Sequence, residues 1–405
     1  MADGESTLKA DVLVVGAGPA GSAAAARLAA AGWDVLLVDR AEFPRDKTCG
    51  DGLTPRAVRT LQTLGAFERV AARAHRLEAA RIVSPGGHQL RIRFADHLDG
   101  WPHFALVLPR YELDDCLRQH AIASGARFLG DCKVIAPLPA RPGAVAQRGG
   151  ESLAIESRLV VLATGASLPL LRSFGFLRQL PPTVSAARAY WEGVEGPDDT
   201  MEFFFDRRFA RGYLWLFPLG EGRANIGLGL FPYNGQPRPS AARLLTEALA
   251  DYAPLASRLR RARRLSPIKG YPLRTDFPHH PVVADGVLLA GEACGLVNPV
   301  TGEGIDLALE SGLLAAAAAD AALQRGDTAA ATLSPYARAL RSRFAAFFRE
   351  MRWLVRWAMG PRALDILVRQ GARHPDLART ITLVNLGLLP PRAAVSLRTW
   401  RDILF

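Results

Sequence analysis

Cysteine and lysine are both scarce in this chain of 405 residues. The four cysteines form no CxxC pair or zinc-type spacing, which excludes a disulfide framework and gives no metal site. Lysine also occurs only four times although the net charge is +11, so the basic character is nearly all arginine. No basic module with interleaved aromatic residues accompanies this charge, so we expect no nucleic-acid partner. A membrane surface or a small anion fits the charge better.

Long apolar runs and a targeting signal are missing as well. No uncharged stretch reaches the roughly 18 residues needed to span a bilayer, since Asp320 interrupts Leu313–Leu323. No basic-then-apolar signal precedes Asp11, so we expect a protein of the reducing cytoplasm that does not span a membrane. The length predicts roughly two to three structural units.

The chain opens with an apolar strand that runs into a glycine turn. Val12–Val15 precedes Gly16-Ala17-Gly18-Pro19-Ala20-Gly21, and an alanine-rich helix follows over 22–31. This G-x-G-x-x-G spacing gives a tight turn, close backbone approach to a pyrophosphate and close helix packing. A second strand, 35–38, ends at Asp39, where a carboxylate can accept hydrogen bonds from a ribose. The pattern predicts a Rossmann-type dinucleotide site; an ordinary tight turn is the alternative.

The same succession of an apolar strand, an acidic residue and a glycine-rich turn occurs a second time, far along the chain. An apolar strand leads into Gly291-Glu292, and a glycine-rich helix start follows at Gly302–Ile305. A nicotinamide site does not need this second pattern, whereas the larger FAD does. The carboxylate can hold the ribityl or pyrophosphate end, and the amides of 302–305 can stabilise negative charge on reduced isoalloxazine. An unrelated glycine-rich helix cap is the alternative.

Between these motifs the apolar pattern changes to the alternation of half-buried strands. Tyr213, Trp215 and Phe217 share one strand face, either as sheet core or as the wall of an apolar pocket. We therefore expect a mixed α/β (α+β) fold: a Rossmann-like FAD-binding domain, an inserted antiparallel-sheet substrate domain and a C-terminal helical region. The expected boundaries are 1–75, 105–170 and 275–330 for the first, 76–104 and 171–274 for the second, and 331–405 for the third.

Two arginine-rich stretches are interpreted as surface. The run Arg258–Arg264, at the end of a helical stretch expected over 241–262, fits a solvated face. In a helix expected over 336–357, arginines and apolar residues occupy opposite faces. With Trp353 and Trp357, this helix fits either an anionic membrane surface or packing on the body with its arginines in solvent.

Together these motifs resemble the geranylgeranyl reductase family, within the flavoprotein class shaped like para-hydroxybenzoate hydroxylase. The likeness covers the chain to about residue 330. It is most specific in the loop Lys47-Thr48-Cys49-Gly50-Asp51-Gly52, which is similar to menaquinone reductases and related prenyl reductases. The other matching pieces are Gly16–Gly21, the rest of Phe43–Leu53, Arg110 with Leu113-Asp114, Ala163–Ser167, Gly212–Pro218 and Gly291–Ile305.

The resemblance implies an FAD enzyme that reduces C=C bonds of a polyprenyl chain, of geranylgeranyl or menaquinone type, by hydride transfer from reduced flavin. NADPH, ferredoxin or another donor protein would reduce the flavin, and the enzyme would lie peripherally on the inner face of the cell membrane. Cys49 is the catalytic candidate, with simple packing as its alternative, and Tyr213, Trp215 and Phe217 would line the prenyl channel. Glu292 stands where the class usually has aspartate. The residues expected to hold FAD are Gly16, Ala17, Gly18, Ala20, Gly21, Asp39, Arg40, Cys49, Gly50, Arg110, Val134, Gly165, Gly291, Glu292, Gly302, Gly304 and Ile305.

Two other functions stay open. A flavin-dependent monooxygenase or halogenase on an aromatic substrate would share the glycine turn, although the W-x-W-x-I-P element and catalytic lysine of a halogenase are not visible. A flavoprotein that carries prenyl lipid without turnover would share the apolar pocket too.

Overall fold

The structure is a computed structural model, and it describes residues 6–181, 183–209, 212–230, 240–357 and 359–396. The strands are β1 (Ser6–Lys9), β2 (Val12–Val15), β3 (Val35–Val38), β4 (Gly52–Leu53), β5 (His75–Leu77), β6 (Ala79–Val83), β7 (Gln89–Arg93), β8 (Ala105–Val107), β9 (Arg127–Leu129), β10 (Lys133–Pro137), β11 (Gly143–Arg148), β12 (Glu151–Glu156), β13 (Leu159–Leu162), β14 (Thr183–Glu192), β15 (Thr200–Phe204), β16 (Gly212–Gly220), β17 (Arg223–Leu230), β18 (Arg263–Arg264), β19 (Lys269–Arg274), β20 (Val283–Ala284) and β21 (Val287–Leu289). The α-helices are α1 (Pro19–Ala30), α2 (Pro55–Leu64), α3 (Phe67–Ala71), α4 (Arg110–Ala123), α5 (Leu168–Ser173), α6 (Ala241–Asp251), α7 (Ala253–Ala256), α8 (Ile305–Gln324), α9 (Ala330–Leu340), α10 (Ala346–Trp357), α11 (Pro361–Gly371) and α12 (Pro375–Asn385).

A six-stranded, mainly parallel sheet carries the opening glycine turn. Its order is β20-β21-β13-β2-β3-β9, with β20 antiparallel at one edge. β2, β3 and β13 are buried along their whole length, as expected of parallel strands covered by helices. α1 packs against α8, and Gly312 permits this contact because a Cβ there would lie 2.3 Å from the Ala20 carbonyl oxygen.

A larger, mostly antiparallel sheet forms the second part of the fold. It runs β18-β14-β17-β16-β15-β6-β7, with β19 also paired to β14 and with β15 parallel to β6. Two smaller sheets, β1-β12-β11-β10 and β4-β8-β5, complete the strands. The predicted fold class, with a Rossmann-type domain, an antiparallel sheet and C-terminal helices, is confirmed.

The C-terminal region departs from the single helix expected over 336–357. A π-helical turn, Arg341–Ala345, separates α9 from α10. The predicted apolar face packs on the body, with Phe344, Phe348 and Met351 buried. Of the predicted arginine face, Arg352 is half-buried because it donates a hydrogen bond of 2.7 Å to the Phe277 carbonyl. The side chain of Trp357 lies outside the described residues, and the exposed members of the face are Arg338, Arg341, Arg349 and Arg356.

The interpretation of Arg258 as a solvated residue is wrong. Its guanidinium is buried and pairs with the carboxylate of Glu202, which is fully buried and also pairs with Arg81. Burial, with the nearby charge of Arg81, lowers the pKa of Arg258 to about 10. The helix expected over 241–262 is also shorter, because α6 ends at Asp251.

Candidate functional site

A cavity of about 420 Å³ opens where the glycine turn, the 45–54 loop, β16 and the 290–305 segment meet. It brings together most of the residues that the sequence predicts for the site. Ala17 and Gly21 do not line it. The predicted residues that do are Gly16, Gly18, Ala20, Asp39, Arg40, Cys49, Gly50, Arg110, Val134, Gly165, Tyr213, Trp215, Phe217, Gly291, Glu292, Gly302, Gly304 and Ile305.

Two glycines of the turn, Gly16 and Gly21, lie so close to backbone that they have no room for a side chain. Gly16 has a φ of +104°, and a Cβ there would lie 2.4 Å from the Ala163 carbonyl oxygen. A Cβ on Gly21 would lie 1.8 Å from the Gly16 oxygen. Gly18 precedes α1 without a side-chain cap, so the first N–H groups of α1 are free to bind an anion. Asp39 is fixed at the end of β3 because its Oδ2 accepts the Ala17 N–H at 2.9 Å.

Two arginines lie against this turn. Arg110 is buried and binds Asp114 through two hydrogen bonds, Nε to Oδ1 at 2.6 Å and Nη2 to Oδ2 at 2.7 Å. Arg45 shares the same carboxylate at 2.8 Å. A Cβ on Gly18 would lie 3.7 Å from Arg110 and 3.8 Å from Arg45, so both guanidinium groups border the cavity beside α1. Paired arginines at a helix N-terminus suit a pyrophosphate.

Glu292 forms a buried ion pair that its motif alone does not reveal. Lys47 Nζ lies 3.2 Å from Glu292 Oε2 and 4.6 Å from the centre of the Tyr271 ring. Burial acts most strongly and lowers the pKa of Lys47, but the charge of Glu292, with smaller contributions from Tyr271 and Cys49, leaves the pKa raised overall. Glu292 Oε1 accepts the Arg274 N–H at 3.3 Å, so both carboxylate oxygens are held.

The loop that carries Cys49 is anchored through Asp51. This residue is fully buried with a φ of +67°, and its carboxylate accepts hydrogen bonds from the Tyr190 hydroxyl and the Asn225 amide, both at 2.7 Å. Burial raises the pKa of Asp51 to about 6. Asn225 also donates to the Cys49 carbonyl at 2.8 Å and accepts the Trp215 indole N–H at 2.9 Å. One amide thus joins the loop to the antiparallel sheet.

The residues predicted for the site did not include Tyr190, Asn225, Arg45 or Lys47. A polar asparagine between the apolar residues Ala224 and Ile226 is the signal that could have identified Asn225.

The aromatic row of β16, formed by Tyr213, Trp215 and Phe217, belongs to the sheet core and also forms part of the cavity wall. Both predicted alternatives therefore apply at once. Tyr213, Trp215 and Phe217 are buried, and all three line the cavity. Phe203 on β15 contacts the row, with ring centres 5.6 Å from Tyr213 and 5.3 Å from Phe217.

A second, mostly apolar cavity of about 180 Å³ adjoins the first. Its walls come from β6 and β7 on one side and α10, α11 and α12 on the other. The residues that line both cavities are Thr54, Met201, Phe203, Tyr213, Thr301 and Glu303.

Comparisons with known proteins agree with this division of the site. Residues 9–186 match the family of FAD binding domains, and residues 183–263 match the geranylgeranyl reductase catalytic domain. A menaquinone reductase of Mycobacterium tuberculosis is 37% identical over 322 residues, which is 76% of each chain. The chain belongs to the geranylgeranyl reductase family. A digeranylgeranylglycerophospholipid reductase of Methanopyrus kandleri is 32% identical over 347 residues, 84% of each chain.

Solved structures show the same fold as this geranylgeranyl reductase family member. A geranylgeranyl bacteriochlorophyll reductase-like protein of Thermoplasma acidophilum superposes with a TM-score of 0.78 at 23% identity, over 91% of this chain and 92% of that one. A flavin-dependent brominase reaches 0.78 at 20% identity, over 97% and 99%. At these identities the likeness concerns the fold alone.

The cofactor of the family is FAD, and the residues of the cavity fit it. In the Gly16–Gly21 turn a Cβ on Gly16 or Gly21 would collide with backbone, and the absence of a side chain at Gly18 leaves space for a diphosphate beside Arg45 and Arg110. The Thr164 hydroxyl in the cavity wall is buried and has no hydrogen-bond partner among the described residues, so it is available to a ligand. No group of three or more His, Cys, Asp or Glu side chains in the described ranges is arranged to hold a metal ion.

Proposed function

We propose that this protein is an FAD-dependent reductase that saturates C=C bonds in a polyprenyl chain, of geranylgeranyl or menaquinone type. The observation that carries the proposal is the continuity of the dinucleotide site with an aromatic-walled cavity and a second apolar cavity. The names of the related menaquinone and digeranylgeranylglycerophospholipid reductases support the same substrate class. A long apolar chain needs such a water-excluding channel, whereas a small aromatic substrate does not need the second cavity.

The cofactor-binding roles follow from the positions of the residues. Asp39 would accept hydrogen bonds from the adenosine ribose, and Val134 on β10 would contact the adenine through its backbone. Arg110, with Arg45 and the first amides of α1, would bind the pyrophosphate. The remaining predicted contacts that line the cavity are Gly16, Gly18, Ala20, Arg40, Gly50, Gly165 and Gly291, whereas Ala17 and Gly21 would keep the turn in shape without touching the cofactor.

At the other end of the site, Glu292 would hold the ribityl or pyrophosphate portion, in an orientation fixed by Lys47. The amides of Gly302, Gly304 and Ile305 would stabilise negative charge on the reduced ring. Reduced FAD, when bound, supplies the hydride.

Cys49 is proposed to act beside the reacting carbons by controlling access of water and protons. The hydrogen bonds of Asn225 and Asp51 hold its loop, so the position of the thiol is set by buried groups of the antiparallel sheet. Tyr213, Trp215 and Phe217 would orient the chain, and orientation of this kind contributes to rate by proximity.

The proposal extends to the surroundings of the enzyme. Exposed Arg341 and Arg349, together with Trp353, which is 49% exposed, would contact anionic lipid at the cytoplasmic face of a membrane, where a polyprenyl substrate resides. No helix in the described ranges is long and apolar enough to cross a bilayer. NADPH, or a donor protein such as a ferredoxin, is the proposed source of electrons.

The test is an anaerobic single turnover. Dithionite-reduced protein is mixed with geranylgeranyl and menaquinone lipids while flavin absorbance and lipid mass are followed together. We expect flavin reoxidation matched by a gain of hydrogen pairs in one lipid class, with a fully saturated analogue as the control that leaves flavin reduced. If lipid masses stayed unchanged and an aromatic compound were oxygenated in the presence of air and NADPH, the reductase proposal would be wrong and the protein would be a monooxygenase.

A further inference from the structure

Glu303 occupies the junction between the two cavities. Among the described residues that line both, it is the one carboxyl group, and the others are Thr54, Met201, Phe203, Tyr213 and Thr301. It stands two residues before α8, in the segment proposed to face the reduced ring. A carboxyl at this point reaches both the proposed flavin side and the proposed prenyl side.

The other carboxylates of the larger cavity are already engaged. Glu292 binds Lys47, Asp46 binds Lys269, and Asp51 accepts three hydrogen bonds. Asp39 accepts the Ala17 N–H. In the described ranges Glu303 has no ion pair with Lys, Arg or His.

The surroundings of Glu303 favour its neutral form. Burial and the charge of Asp306 on α8 raise its pKa to about 8, against smaller opposing effects from the Thr301 hydroxyl and from Arg56 on α2. Arg56 is itself bound to Glu310, at 3.1 Å through Nε. Tyr213 faces the same carboxyl from β16, and its hydroxyl donates to the Thr301 carbonyl.

We propose that Glu303 is the proton donor of the alkene reduction, an assignment that rests on the proposed function. The π bond opens as one carbon receives the hydride supplied by reduced FAD and the other receives the carboxyl proton. Two C–H bonds would form while the alkene π bond, the Glu303 O–H bond and the hydride-bearing bond of the reduced cofactor would break, so the alkene would gain the two electrons that the cofactor gives up with the hydride. The carboxylate then regains its proton from solvent before the next turnover.

The first test uses the parental enzyme in single turnover across pH. A donor must be protonated, so the rate of flavin reoxidation is expected to be constant below the pKa of about 8 and to fall above it. In infrared spectra of the FAD-loaded protein, without substrate, a protonated-carboxyl band is expected at neutral pH and is lost with the same titration. Both measurements use the parental enzyme, so they test the assignment even if a variant fails to fold.

The second test compares Glu303→Gln with three other variants. Glu303→Gln should lose the infrared band and slow reoxidation by about 100-fold or more, while FAD affinity, measured by fluorescence titration, stays at the parental value. Glu303→Asp should restore part of the rate. Glu247→Gln, which changes an exposed carboxyl of α6 outside both cavities, should keep the parental rate and pH profile, and Tyr213→Phe should keep the decline near pH 8.

Three outcomes overturn the assignment. One is a Glu303→Gln enzyme with the parental rate and pH profile, and another is a decline near pH 8 that disappears in Tyr213→Phe. In both, the parental enzyme still saturates the lipid, so the proposed function stands. Failure of the parental enzyme to saturate any lipid removes the function and the assignment together.

Discussion

Asn225 is a buried polar residue in a strand whose adjacent residues, Ala224 and Ile226, are apolar and buried. Its amide satisfies three groups at once: the Asp51 carboxylate, the Cys49 carbonyl and the Trp215 indole. Because Asp51 and Trp215 are buried, the carboxylate and the indole N–H would each lose a hydrogen bond without replacement if the amide were removed. Asn225 therefore determines where both the Cys49 loop and the indole lie.

We predict that Asn225→Ala lowers the free energy of unfolding by about 3 kcal/mol or more, because it leaves a buried carboxylate and an indole N–H short of partners. Chemical denaturation measures this loss. Labelling of native protein with a thiol reagent should also become faster at Cys49, the one half-buried cysteine beside three buried ones. Tyr190→Phe removes a single donor from Asp51 and serves as the matched variant, with a loss of about 1–2 kcal/mol. Equal losses, or unchanged Cys49 labelling, would contradict the anchoring role.

Asp39 could be predicted as a site residue from the sequence, whereas Asn225 could not. Asp39 belongs to a motif of fixed spacing, in which strand, turn, helix and strand follow directly along the chain. Asn225 contacts Cys49 and Asp51, which are 176 and 174 residues away in the sequence, so no local sequence pattern predicts these contacts. Lys47 meets Glu292 across 245 residues for the same reason.

The pairing of β16 with β17 places a glycine opposite the central aromatic residue of the row. Trp215 is in register with Gly227. A Cβ on Gly227 would lie 2.1 Å from the indole ring and 2.5 Å from the Ala187 carbonyl oxygen, whereas a Cβ on Gly229 meets the same ring at 3.8 Å. The indole therefore lies flat across β17 only because position 227 lacks a side chain.

Gly227→Ala is expected to destabilise the protein by at least about 1–3 kcal/mol, the usual range for overpacking of a core, and to weaken the binding of polyprenyl lipid by displacing Trp215. Gly229→Ala, two residues away on the same strand face, should change stability by less than about 1 kcal/mol, since its new methyl makes an ordinary contact. Thermal unfolding of the two variants side by side gives the comparison. Similar melting temperatures would show that Trp215 does not depend on the gap at Gly227.

Helical periodicity correctly predicted the apolar face of the helical segment 336–357 but not the interruption of this segment between α9 and α10. A spacing of 100° per residue fits both Phe344 and Phe348 as buried, and both are. The π-helical turn Arg341–Ala345 carries tertiary contacts, of Arg343 with Glu310 and of Phe344 with Phe277, which no one-dimensional pattern contains. The exposure of Arg258 was wrongly predicted for a similar reason, since its partner Glu202 lies on β15, 56 residues away.

The net charge of +11 predicts association with anionic vesicles that weakens as salt rises. Replacing Arg341→Glu and Arg349→Glu together should weaken co-sedimentation with such vesicles by about 10-fold or more, because each surface arginine contributes about 1 kcal/mol. Arg260→Glu with Arg261→Glu changes the total charge equally at exposed positions of the antiparallel-sheet part and is the matched control. Equal weakening by both pairs would assign binding to total charge rather than to the C-terminal arginine face.

The fold class was accessible from the sequence because its two glycine motifs and its alternating strands are local signals. The two small sheets were not, since β1 pairs with β12 across more than 140 residues. The second cavity was also inaccessible, because it exists only where α10, α11 and α12 cover β6 and β7.

The strand order of the parallel sheet has a consequence for synthesis on the ribosome. β13 lies between β2 and β21, so the sheet is complete only after Val287–Leu289 has been made, and the Gly291–Ile305 wall follows. At about 5–20 residues per second, that wall is synthesised roughly 14–57 s after the glycine turn. A nascent chain therefore acquires a full cofactor site only once Ile305 has been translated, which delays FAD capture until long after the glycine turn has been made.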